Sequence, residues 1–339
     1  MRQVAKRIIA AAAAMLLPAT GVFSADAEKK TAQIPYGTAH IDGVKDEIYT
    51  LSPKLTTDVF QLGGDGTSKA VCSVLWNDFG LSIFAEITEA TPDSSSTTLS
   101  DRDSLEIFID ENNARTENAD NDDAQYRVGY DGTKSCGMKA DGVDSFMGVS
   151  VQTETGYNVE MYIPFKNSRH KTGDVMGFEI QVNNGEGGKR TGIAKWCDPT
   201  GDSWKTSKNF GEIELSMVQN DYPSEILVAL NGKRILFENN VPVLTDGRVL
   251  VPLRAIFESM DAEIAWYDST QTVYAIGNNT LIKLQINSAD AQVGGKDVKL
   301  DVPARLIDGS TYVPVRFIGE SFGAKVEWDD SKSLVDIRN

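Results

Sequence analysis

The C-terminal third of the chain contains the same segment twice. Residues 246–275 read DGRVLVPLRAIFESMDAEIAWYDSTQTVYA, and residues 308–337 read DGSTYVPVRFIGESFGAKVEWDDSKSLVDI. Alignment of the two copies superimposes Pro252 on Pro314, Arg254 on Arg316, Glu258 on Glu320 and Trp266 on Trp328. A duplicated unit of this size predicts a paired or stacked module rather than a catalytic domain with a single cleft. It divides the chain into a front part suited to recognition and a rear part suited to spacing or anchoring.

The N-terminus has the pattern of a secretory signal peptide over residues 1–27. Three basic residues precede an apolar run at 8–17, and a small-x-small cleavage pattern stands at 25–27. The apolar run is shorter than the roughly 20 residues that cross a bilayer, so a membrane anchor is the weaker interpretation. We therefore expect a mature chain without a membrane span that is secreted to the extracellular space or associated with the cell envelope.

The composition favours an acidic globular protein of about two domains. The 339 residues carry a formal net charge of −16, which repels nucleic acid and anionic lipid and suits divalent cations and neutral ligands. We expect no nucleic-acid partner. The three cysteines, Cys72, Cys136 and Cys197, lack the spacing of a disulfide framework, although one pair could close in an oxidising compartment. Cys72 falls within an apolar strand-like run and is expected in the core.

Residues 31–217 have the pattern of a mostly β domain. Short apolar or alternating runs are separated by Gly, Asn and Asp, and no convincing helical period interrupts them. These runs lie at 70–77, 81–88, 104–110, 124–130, 157–165, 175–184 and 210–217. Many short strands with turn residues between them predict an antiparallel β-sandwich. Residues 218–224, which are polar and contain a proline, are predicted to form a linker.

The rear region, residues 225–339, is predicted to be an α+β domain of two similar strand-helix-hairpin units. Each copy has a strand that ends in Val-Pro, and proline suits the first turn of the helix that follows. In the first copy, Ile256, Phe257 and Met260 recur at helical spacing. An Asp-Ser turn then joins two strands in each copy.

Several kinds of catalytic site are excluded by what the sequence lacks. His40 and His170 are the only histidines, and they lack metal-ligand spacing, which excludes a His-rich metal site and a His-dependent triad. The glycines at 185–188 lack the Lys-Ser/Thr that follows a phosphate-binding loop. No pair of carboxylates stands in a setting that identifies glycoside hydrolysis. The sequence therefore favours a non-catalytic protein.

Two tryptophans flank the loop CDPTGDS at 197–203. An exposed indole on such a loop can stack on the apolar face of a sugar ring, with polar side chains nearby to bind the hydroxyls. Trp196 follows an apolar run and is predicted to be a core residue, as is Trp76 in VLWND. For Trp204, ligand binding and internal packing both remain open at this point.

Residues 110–123, DENNARTENADNDD, form a dense cluster of oxygen-bearing side chains. Loops of this kind coordinate calcium, a hard cation that takes six to eight oxygen ligands. A solvated acidic loop is the equally favoured alternative, and the spacing is not that of an EF-hand.

The front domain resembles the family 9 carbohydrate-binding modules that are attached to bacterial xylanases. The motifs that carry this resemblance include DSLEIFIDENN at 103–113, DDAQYRVGY at 122–130, GFEIQVNN at 177–184 and WCDPTGDSW at 196–204. The resemblance implies a non-catalytic β-sandwich with structural calcium. It also implies a ligand, the reducing end of a glucan or xylan chain, that is held between two tryptophans.

The same resemblance assigns candidate roles to individual residues. Trp204 matches one of the two tryptophans, and the polar sugar-contacting positions are matched by Glu106, Arg115, Arg127 and Gln181. Arg115 replaces a lysine, which changes the donor geometry. Ser100 stands where the second tryptophan is expected, and an aromatic wall of this kind is worth about 1–3 kcal/mol by analogy with base stacking. The candidate calcium ligands are Asp110, Asn112, Asp120, Asp122 and Asp123.

The duplicated region resembles the copper amine oxidase N-terminal-like, or stalk, domain of secreted Gram-positive bacterial proteins. VPLRAIFESMDAEIAWYD at 251–268 and VPVRFIGESFGAKVEWDD at 313–330 carry this resemblance. It implies a non-catalytic spacer or adhesion module, and the scarcity of histidine means that no copper is expected. Structural i,i+4 ion pairs are the favoured interpretation of Arg254 with Glu258 and Arg316 with Glu320.

Three hypotheses of function follow. The first is a secreted protein that binds plant cell-wall polysaccharide, cellulose or xylan, with a stalk for spacing or attachment to the cell envelope and an association with hydrolases. The second is an envelope scaffold that has lost sugar binding, which Ser100 favours, or an accessory subunit of a glycoside hydrolase system. The third is a glycosidase or oxidase, which the scarcity of histidine disfavours.

Overall fold

The structure is a computed structural model that describes residues 29–166, 170–217, 225–237 and 240–339. Both units formed by these residues are rich in β-structure, which confirms the predicted fold class. The predicted signal peptide at 1–27 lies outside the described residues, and so does the predicted linker at 218–224. Neither of the two α-helices in the described part of the chain has the length and apolar character that a bilayer crossing requires.

The front domain is a β-sandwich of two sheets. Its strands are β1 Thr31–Pro35, β2 Leu55–Thr56, β3 Val59–Leu62, β4 Lys69–Asn77, β5 Gly80–Thr88, β6 Ser104–Asp110, β7 Asp123–Gly129, β8 Lys134–Met138, β9 Met147–Thr153, β10 Gly156–Pro164, β11 Val175–Glu186, β12 Lys189–Lys195 and β13 Gly211–Ser216. The first sheet has the order β1-β13-β11-β6-β7-β8, with β12 joining β11 to β3. The second sheet has the order β2-β4-β5-β10-β9. Within each sheet most neighbouring strands are antiparallel; β1 and β13 pair in parallel.

The core of the sandwich follows from the alternation of side chains along each strand. On β6, Leu105, Ile107 and Ile109 are buried in the main apolar core, and the residues between them point to the other face of the sheet. Cys72 lies in the same core, as expected, and burial raises the pKa of its thiol. All three cysteines are free thiols in the structure.

The opposite face of the first sheet carries a row of polar side chains. Lys195 on β12, Gln181 on β11, Glu106 on β6, Arg127 on β7 and Ser135 on β8 lie directly opposite one another on successive neighbouring strands. Residues paired in this way project from the same face of a sheet. The strand register therefore brings together side chains that are far apart in the sequence.

The rear domain contains the two copies of the duplicated segment. Its elements are β14 Leu227–Leu230, β15 Lys233–Arg234, β16 Val243–Thr245, β17 Arg248–Pro252, α1 Leu253–Ser259, β18 Glu263–Tyr267, β19 Thr272–Gly277, β20 Thr280–Gln285, β21 Asp290–Val293, β22 Lys296–Lys299, β23 Arg305–Ile307, β24 Ser310–Pro314, α2 Val315–Ser321, β25 Lys325–Asp329 and β26 Leu334–Arg338. They form three sheets in the orders β15-β14-β26-β25, β16-β17-β24-β23 and β18-β19-β20-β21-β22.

The two copies interlock instead of standing side by side. The equivalent strands β17 and β24 pair antiparallel at Val251 and Val313, and β14 pairs in parallel with β26. Each helix starts directly after its proline, as the sequence predicts, and buries its apolar face in one shared core. Each helix therefore depends on residues of both copies for the burial of its apolar face.

The two domains are in direct contact. Phe79, in the turn between β4 and β5, packs against Leu227, Ala229 and Leu334 of the rear domain. Beside this cluster the Lys332 ammonium donates to both carboxylate oxygens of Asp78, at 2.9 and 2.6 Å. The Arg234 guanidinium lies 4.1 Å from the centre of the Tyr162 ring. Apolar packing, an ion pair and a cation–π contact thus join the domains.

The N-terminal segment of the sandwich is held by one buried carboxylate. Glu160 on β10 accepts hydrogen bonds from the Tyr49 hydroxyl at 2.9 Å and from the backbone N–H groups of Asp42 and Gly43 at 3.0 and 2.8 Å. Burial raises the pKa of Glu160 from 4.5 to about 7, although these hydrogen bonds oppose the shift. In the folded protein Glu160 therefore holds a proton up to a higher pH than in the unfolded chain.

This pKa shift predicts a pH dependence of stability. The contribution of Glu160 is fully present below its unfolded pKa and is lost as the pH rises through about 7, by at most about 3 kcal/mol. Glu160→Gln removes the titration, and its Nε2 can donate to the Tyr49 hydroxyl. We expect the melting temperature of the variant to fall less between pH 5 and pH 8 than that of the parent, as measured by calorimetry. Glu86→Gln, at an exposed position on β5, should leave the parent profile unchanged. Equal slopes for parent and Glu160→Gln would contradict this account.

Candidate functional site

Glu106 is the centre of the polar row on the outer face of the first sheet. Its Oε1 accepts hydrogen bonds from Arg127, at 2.8 Å from Nε and 2.6 Å from Nη2, and from the Asn183 amide. Its Oε2 accepts a hydrogen bond from the Gln125 amide. The Glu106 side chain is almost fully buried, so its charge depends on these partners rather than on water.

The network extends to the other two predicted polar residues on this face. Arg127 donates from Nη1 to the Ser135 hydroxyl at 2.9 Å, and Gln181 donates to the Asn183 amide oxygen at 2.8 Å. Glu106, Arg127 and Gln181 therefore belong to one connected hydrogen-bond network in which each side chain has a fixed orientation. Three of the four predicted sugar-contacting polar residues thus lie together.

Arg115 lies outside this network. Its guanidinium donates to the backbone carbonyls of Lys208 and Phe210 at 3.2 and 2.9 Å, and to the Glu212 carboxylate at 3.2 Å. These bonds tie the acidic loop to the start of β13. In the described part of the chain none of its hydrogen bonds reaches Glu106, Arg127 or Gln181, and its role as a sugar contact stays a prediction.

The three tryptophans of the front domain occupy two different environments. Trp196 and Trp76 are 4% and 2% exposed and lie in the sandwich core, which confirms both predictions. Trp204 is 61% exposed on the loop that joins β12 to β13. Internal packing is therefore excluded for Trp204, and its ring faces solvent with the Lys205 ammonium 5.8 Å from the ring centre.

The loop that carries Trp204 is fastened at its start by Glu179 on β11. This carboxylate is fully buried and accepts hydrogen bonds from the backbone N–H groups of Trp196 at 2.8 Å, Cys197 at 3.0 Å and Asp198. Burial raises the pKa of Glu179 to about 7, while the N–H donors act in the opposite direction. The first turn of the loop is consequently held by main-chain bonds.

A buried ion pair fastens the rest of this loop. The Lys195 ammonium donates to the Thr200 carbonyl at 2.6 Å, to the Ser203 hydroxyl at 2.7 Å and to the Asp198 carboxylate at 3.4 Å. Both charged side chains are 1% exposed. The sequence analysis did not identify Lys195 and Glu179 as residues that hold the loop. A lysine at the end of the apolar run GIAK could have indicated a buried charge. Because Lys195 pairs with Gln181, these contacts tie the loop residue next to Trp204, Ser203, to the strand that borders the one carrying Gln181.

Ser100, at the position of the expected second tryptophan, lies on a 3₁₀ turn at Leu99–Asp101. The turn packs against β11 and β12, and it is held by the Arg102 side chain, which donates to the Ser96 carbonyl at 2.6 Å. Ser100 is half-buried and offers a hydroxyl in place of an indole. This turn therefore supplies no aromatic partner for a ligand that stacks on Trp204.

The five predicted calcium ligands separate into two groups. Asp110 and Asp123 face each other across the β6–β7 pair, and the buried Asp123 Oδ1 has no hydrogen-bond partner among the described residues. Asn112, Asp120 and Asp122 form the second group, in which both Asp122 carboxylate oxygens accept hydrogen bonds from Asn112. The residues that the structure describes contain no group of three or more His, Cys, Asp or Glu side chains arranged to hold a metal.

The fit to calcium is therefore confined to the first group. Asp110 and Asp123 supply carboxylate oxygens, and the buried Asn113 Oδ1, which also has no hydrogen-bond partner among the described residues, could add an amide oxygen. Burial and neighbouring carboxylates raise the pKa of Asp123 to about 6. A hard cation would neutralise this crowded negative charge with the ligands it prefers.

Two family models match the chain. Residues 41–217 match the carbohydrate family 9 binding domain-like family. The chain belongs to that family. Residues 229–337 match the copper amine oxidase N-terminal domain. Both resemblances seen in the sequence are thus confirmed.

The relatives are mostly much longer proteins. The chain is 39% identical over 191 residues to endo-1,4-beta-xylanase A of Thermoanaerobacterium saccharolyticum, a match that covers 55% of this chain and 16% of the relative. It is 39% identical over 182 residues to exoglucanase XynX of Acetivibrio thermocellus, covering 53% of this chain and 17% of that protein. The chain thus spans about a sixth of the length of these two relatives.

A solved structure also matches the front domain. This is a family 9 carbohydrate-binding module from Caldicellulosiruptor kristjanssonii in complex with cellotriose, which is 30% identical with a TM-score of 0.53. The match covers 57% of this chain and 96% of that module. The front domain therefore has the fold of such a module.

The buried ion pair predicts a large effect of one substitution. Lys195→Met leaves Asp198 buried without its cation, and we expect the free energy of unfolding to fall by about 3 kcal/mol in urea titrations. Lys205→Met is a matched control, because Lys205 pairs with Asp202 at 2.9 Å on the same loop but both side chains are about half exposed. The control should change stability by less than about 1 kcal/mol. Equal losses in the two variants would show that Lys195 does not fasten the loop.

Proposed function

We propose that this chain is a secreted, non-catalytic protein that binds plant cell-wall polysaccharide of the glucan or xylan type. The observation that carries the proposal is the exposed Trp204 indole, on a loop that Lys195 ties to β12, the strand next to that of Gln181. The indole offers a flat apolar surface to the C–H face of a pyranose, and Arg127, the part-exposed member of the Glu106–Arg127–Gln181 network, can donate to its hydroxyls. The cellotriose complex of the related module supports this class of ligand.

The arrangement of acids supports binding without bond cleavage. Glycoside hydrolysis requires two carboxyl groups that flank the scissile bond, one of which gives up a proton. Glu106 is held by Arg127 and two amides, and Glu179 is enclosed by backbone N–H groups beneath the loop. Neither carboxylate is free to act on a bound sugar.

The rest of the chain supports a role in presentation. The signal-peptide pattern at 1–27 supports secretion, and the rear domain is suited to spacing or to docking on the cell envelope or a hydrolase. Contacts of Phe79 and Asp78 with the rear domain would keep the sandwich in a set orientation. The xylanase relatives, in which the matched region is a small part of the protein, support an association with glycan-degrading systems.

Calcium is proposed as a structural ion of the acidic loop, with Asp110 and Asp123 as its principal ligands. Bound calcium would neutralise these facing carboxylates and stiffen the loop, which contacts the Trp204 loop through the hydrogen bond from the Ala119 N–H to the Lys205 carbonyl at 2.8 Å. It would take no part in bond making or breaking.

Removal of calcium should therefore lower stability. At a free calcium concentration near 100 times the dissociation constant, binding adds about 2.7 kcal/mol, so chelation should lower the melting temperature by several degrees. Asp123→Asn should abolish most of this response, whereas Asp65→Asn, at a highly exposed position, should keep it. An identical melting temperature with calcium and with chelator would contradict the proposed ion.

The stacking role of Trp204 is tested by its removal. We expect Trp204→Ala to lower the affinity for cellotriose or xylotriose about tenfold or more, in keeping with the stacking energy of an aromatic wall. Isothermal titration calorimetry measures the affinity, and an unchanged melting temperature would show that the fold is intact.

Tyr267→Ala is the control for this experiment, since Tyr267 is an exposed aromatic residue of the rear domain at 55% exposure. Full binding by Trp204→Ala would refute the site. No heat from the parent with any of these sugars at millimolar concentration would refute sugar binding and favour the envelope scaffold.

A further inference from the structure

The rear domain has two clefts that are built from equivalent residues of the two copies. The first, here the Trp266 cleft, has a volume of about 1200 Å³ and is lined by Arg254, Glu258 and Trp266. The second, here the Trp328 cleft, has a volume of about 480 Å³ and is lined by Arg316, Glu320 and Trp328. The duplication has thus preserved a concave surface as well as a fold.

Each cleft requires both copies. In the Trp266 cleft, α1 and Trp266 of the first copy line the cleft together with Leu306 on β23, the strand that pairs with β24 of the second copy. In the Trp328 cleft, α2 and Trp328 of the second copy line the cleft together with Leu244 on β16, the equivalent leucine on the strand that pairs with β17 of the first copy. This exchange follows from the central pairing of β17 with β24, which carries each hairpin over to the helix of the other copy.

The apolar side chains at these clefts are open to solvent. Trp266 and Trp328 are 42% and 40% exposed, and the opposing Leu306 and Leu244 are 46% and 63% exposed. Single exposed apolar residues are common on protein surfaces. Here each cleft brings an exposed indole and an exposed leucine together, and this combination occurs twice in one domain. Apolar surface of this kind is typical of a binding site. The shared core leaves these four side chains out, so internal packing does not account for them.

Charged groups at the rims are available to a ligand. Arg254 lies 3.8 Å from Glu258, and both side chains are mostly exposed, so this predicted ion pair is present but weak. In the described part of the chain Arg316 and Glu320 do not form an ion pair, so the i,i+4 pair that the sequence predicted for the second copy is wrong. Each rim therefore presents a guanidinium and a carboxylate that can bind hydroxyl groups.

The charge of the clefts is close to balanced, which favours a neutral occupant. Around the Trp266 cleft the basic residues Lys233, Arg234 and Arg254 stand against the acidic residues Glu258 and Asp268. Around the Trp328 cleft the basic residues Arg248, Lys299 and Arg316 are balanced by the acidic residues Asp301, Glu320 and Glu327. This balance contrasts with the net charge of −16 of the whole chain. An apolar wall with balanced polar groups at its rim complements a pyranose ring, which has apolar faces and an edge of hydroxyls.

An added peptide strand is the less suitable occupant. Trp328 lies on β25, which is an edge strand and therefore has one unpaired side. That strand carries Lys325, Glu327 and Asp329, and charged side chains along an edge oppose the addition of another strand. Trp266 likewise lies on an edge strand, β18, whose one charged residue is Glu263, so the clefts share a strand edge as well as an indole. Binding in both clefts is assigned to the indole, because the charges along β25 oppose strand addition at the Trp328 cleft.

We propose that the Trp266 and Trp328 clefts are two equivalent binding sites for a neutral, β-linked pyranose chain, distinct from the Trp204 site. Plant cell-wall glucan or xylan and the N-acetylated glycan of a bacterial wall share this chemistry. Weak sites on both domains would act together on one polymer, because binding at one site raises the effective concentration at the others. The rear domain is then a second glycan-binding module.

The five tryptophans of the chain make a direct test possible, since each indole N–H gives its own signal in a ¹⁵N–¹H correlation spectrum. The full chain is titrated separately with xylohexaose, cellohexaose and chitohexaose, which distinguishes the two sources of glycan. We expect the Trp266 and Trp328 signals to shift with similar concentration dependence for at least one probe. The buried Trp76 and Trp196 should stay in place as internal references.

Variants separate this proposal from the role of Trp204. In Trp204→Ala the shifts of Trp266 and Trp328 should persist, so failure of the Trp204 site would leave this result intact. Arg254→Ala should weaken binding at Trp266 about tenfold and leave Trp328 unaffected, and Arg316→Ala should do the reverse. Tyr267→Ala, which alters an exposed ring outside both clefts, should change neither.

Two results would overturn the proposal. One is the absence of any shift of Trp266 and Trp328 with all three probes at millimolar concentration. The other is a shift of these signals with a neutral Thr-Val peptide but with none of the three saccharides, which would identify the clefts as peptide sites.

Discussion

The buried ionic contacts beneath the Trp204 loop are the interaction on which the candidate site depends. Because the Trp204 indole is exposed, its ring adds little burial energy to the loop. Other contacts must therefore hold the loop in one conformation. Lys195 and Glu179 supply these contacts, since both are wholly enclosed and both bond to the loop. The desolvation cost of burying these charged groups is offset only while the loop supplies their hydrogen-bond partners. A change that displaces the loop would therefore also lower the stability of the domain.

Much of the architecture could be predicted from the sequence, because strand alternation and the internal repeat are local patterns. These patterns predicted the sandwich, the strand-to-helix junctions and the core positions of Trp76 and Trp196. The register of the sheet could not be read in this way. It is set by pairing across distant strands, and it alone brings Glu106, Arg127 and Gln181 into one row.

Other features escaped the sequence for identifiable physical reasons. The guanidinium of Arg115 bonds to backbone carbonyls, and carbonyls carry no sequence signal. In the sequence the acidic residues of 110–123 form one continuous cluster. In the structure the β6–β7 register pairs Asp110 with Asp123, whereas Asn112 bonds to Asp122. The twin clefts arise only when two copies exchange hairpins, and the repeat shows the duplication without showing that exchange.

The parallel pairing of β14 with β26 has a mechanical consequence. These strands are the first and last of the rear domain, and Leu227 is paired with Leu334 while Leu230 is paired with Ile337. Tension between the two ends of the domain would pull the strands past each other along their length. All of their ladder hydrogen bonds would then bear the load at once instead of opening one after another. Such a shear geometry resists a force that is applied along the line joining the two ends of the domain.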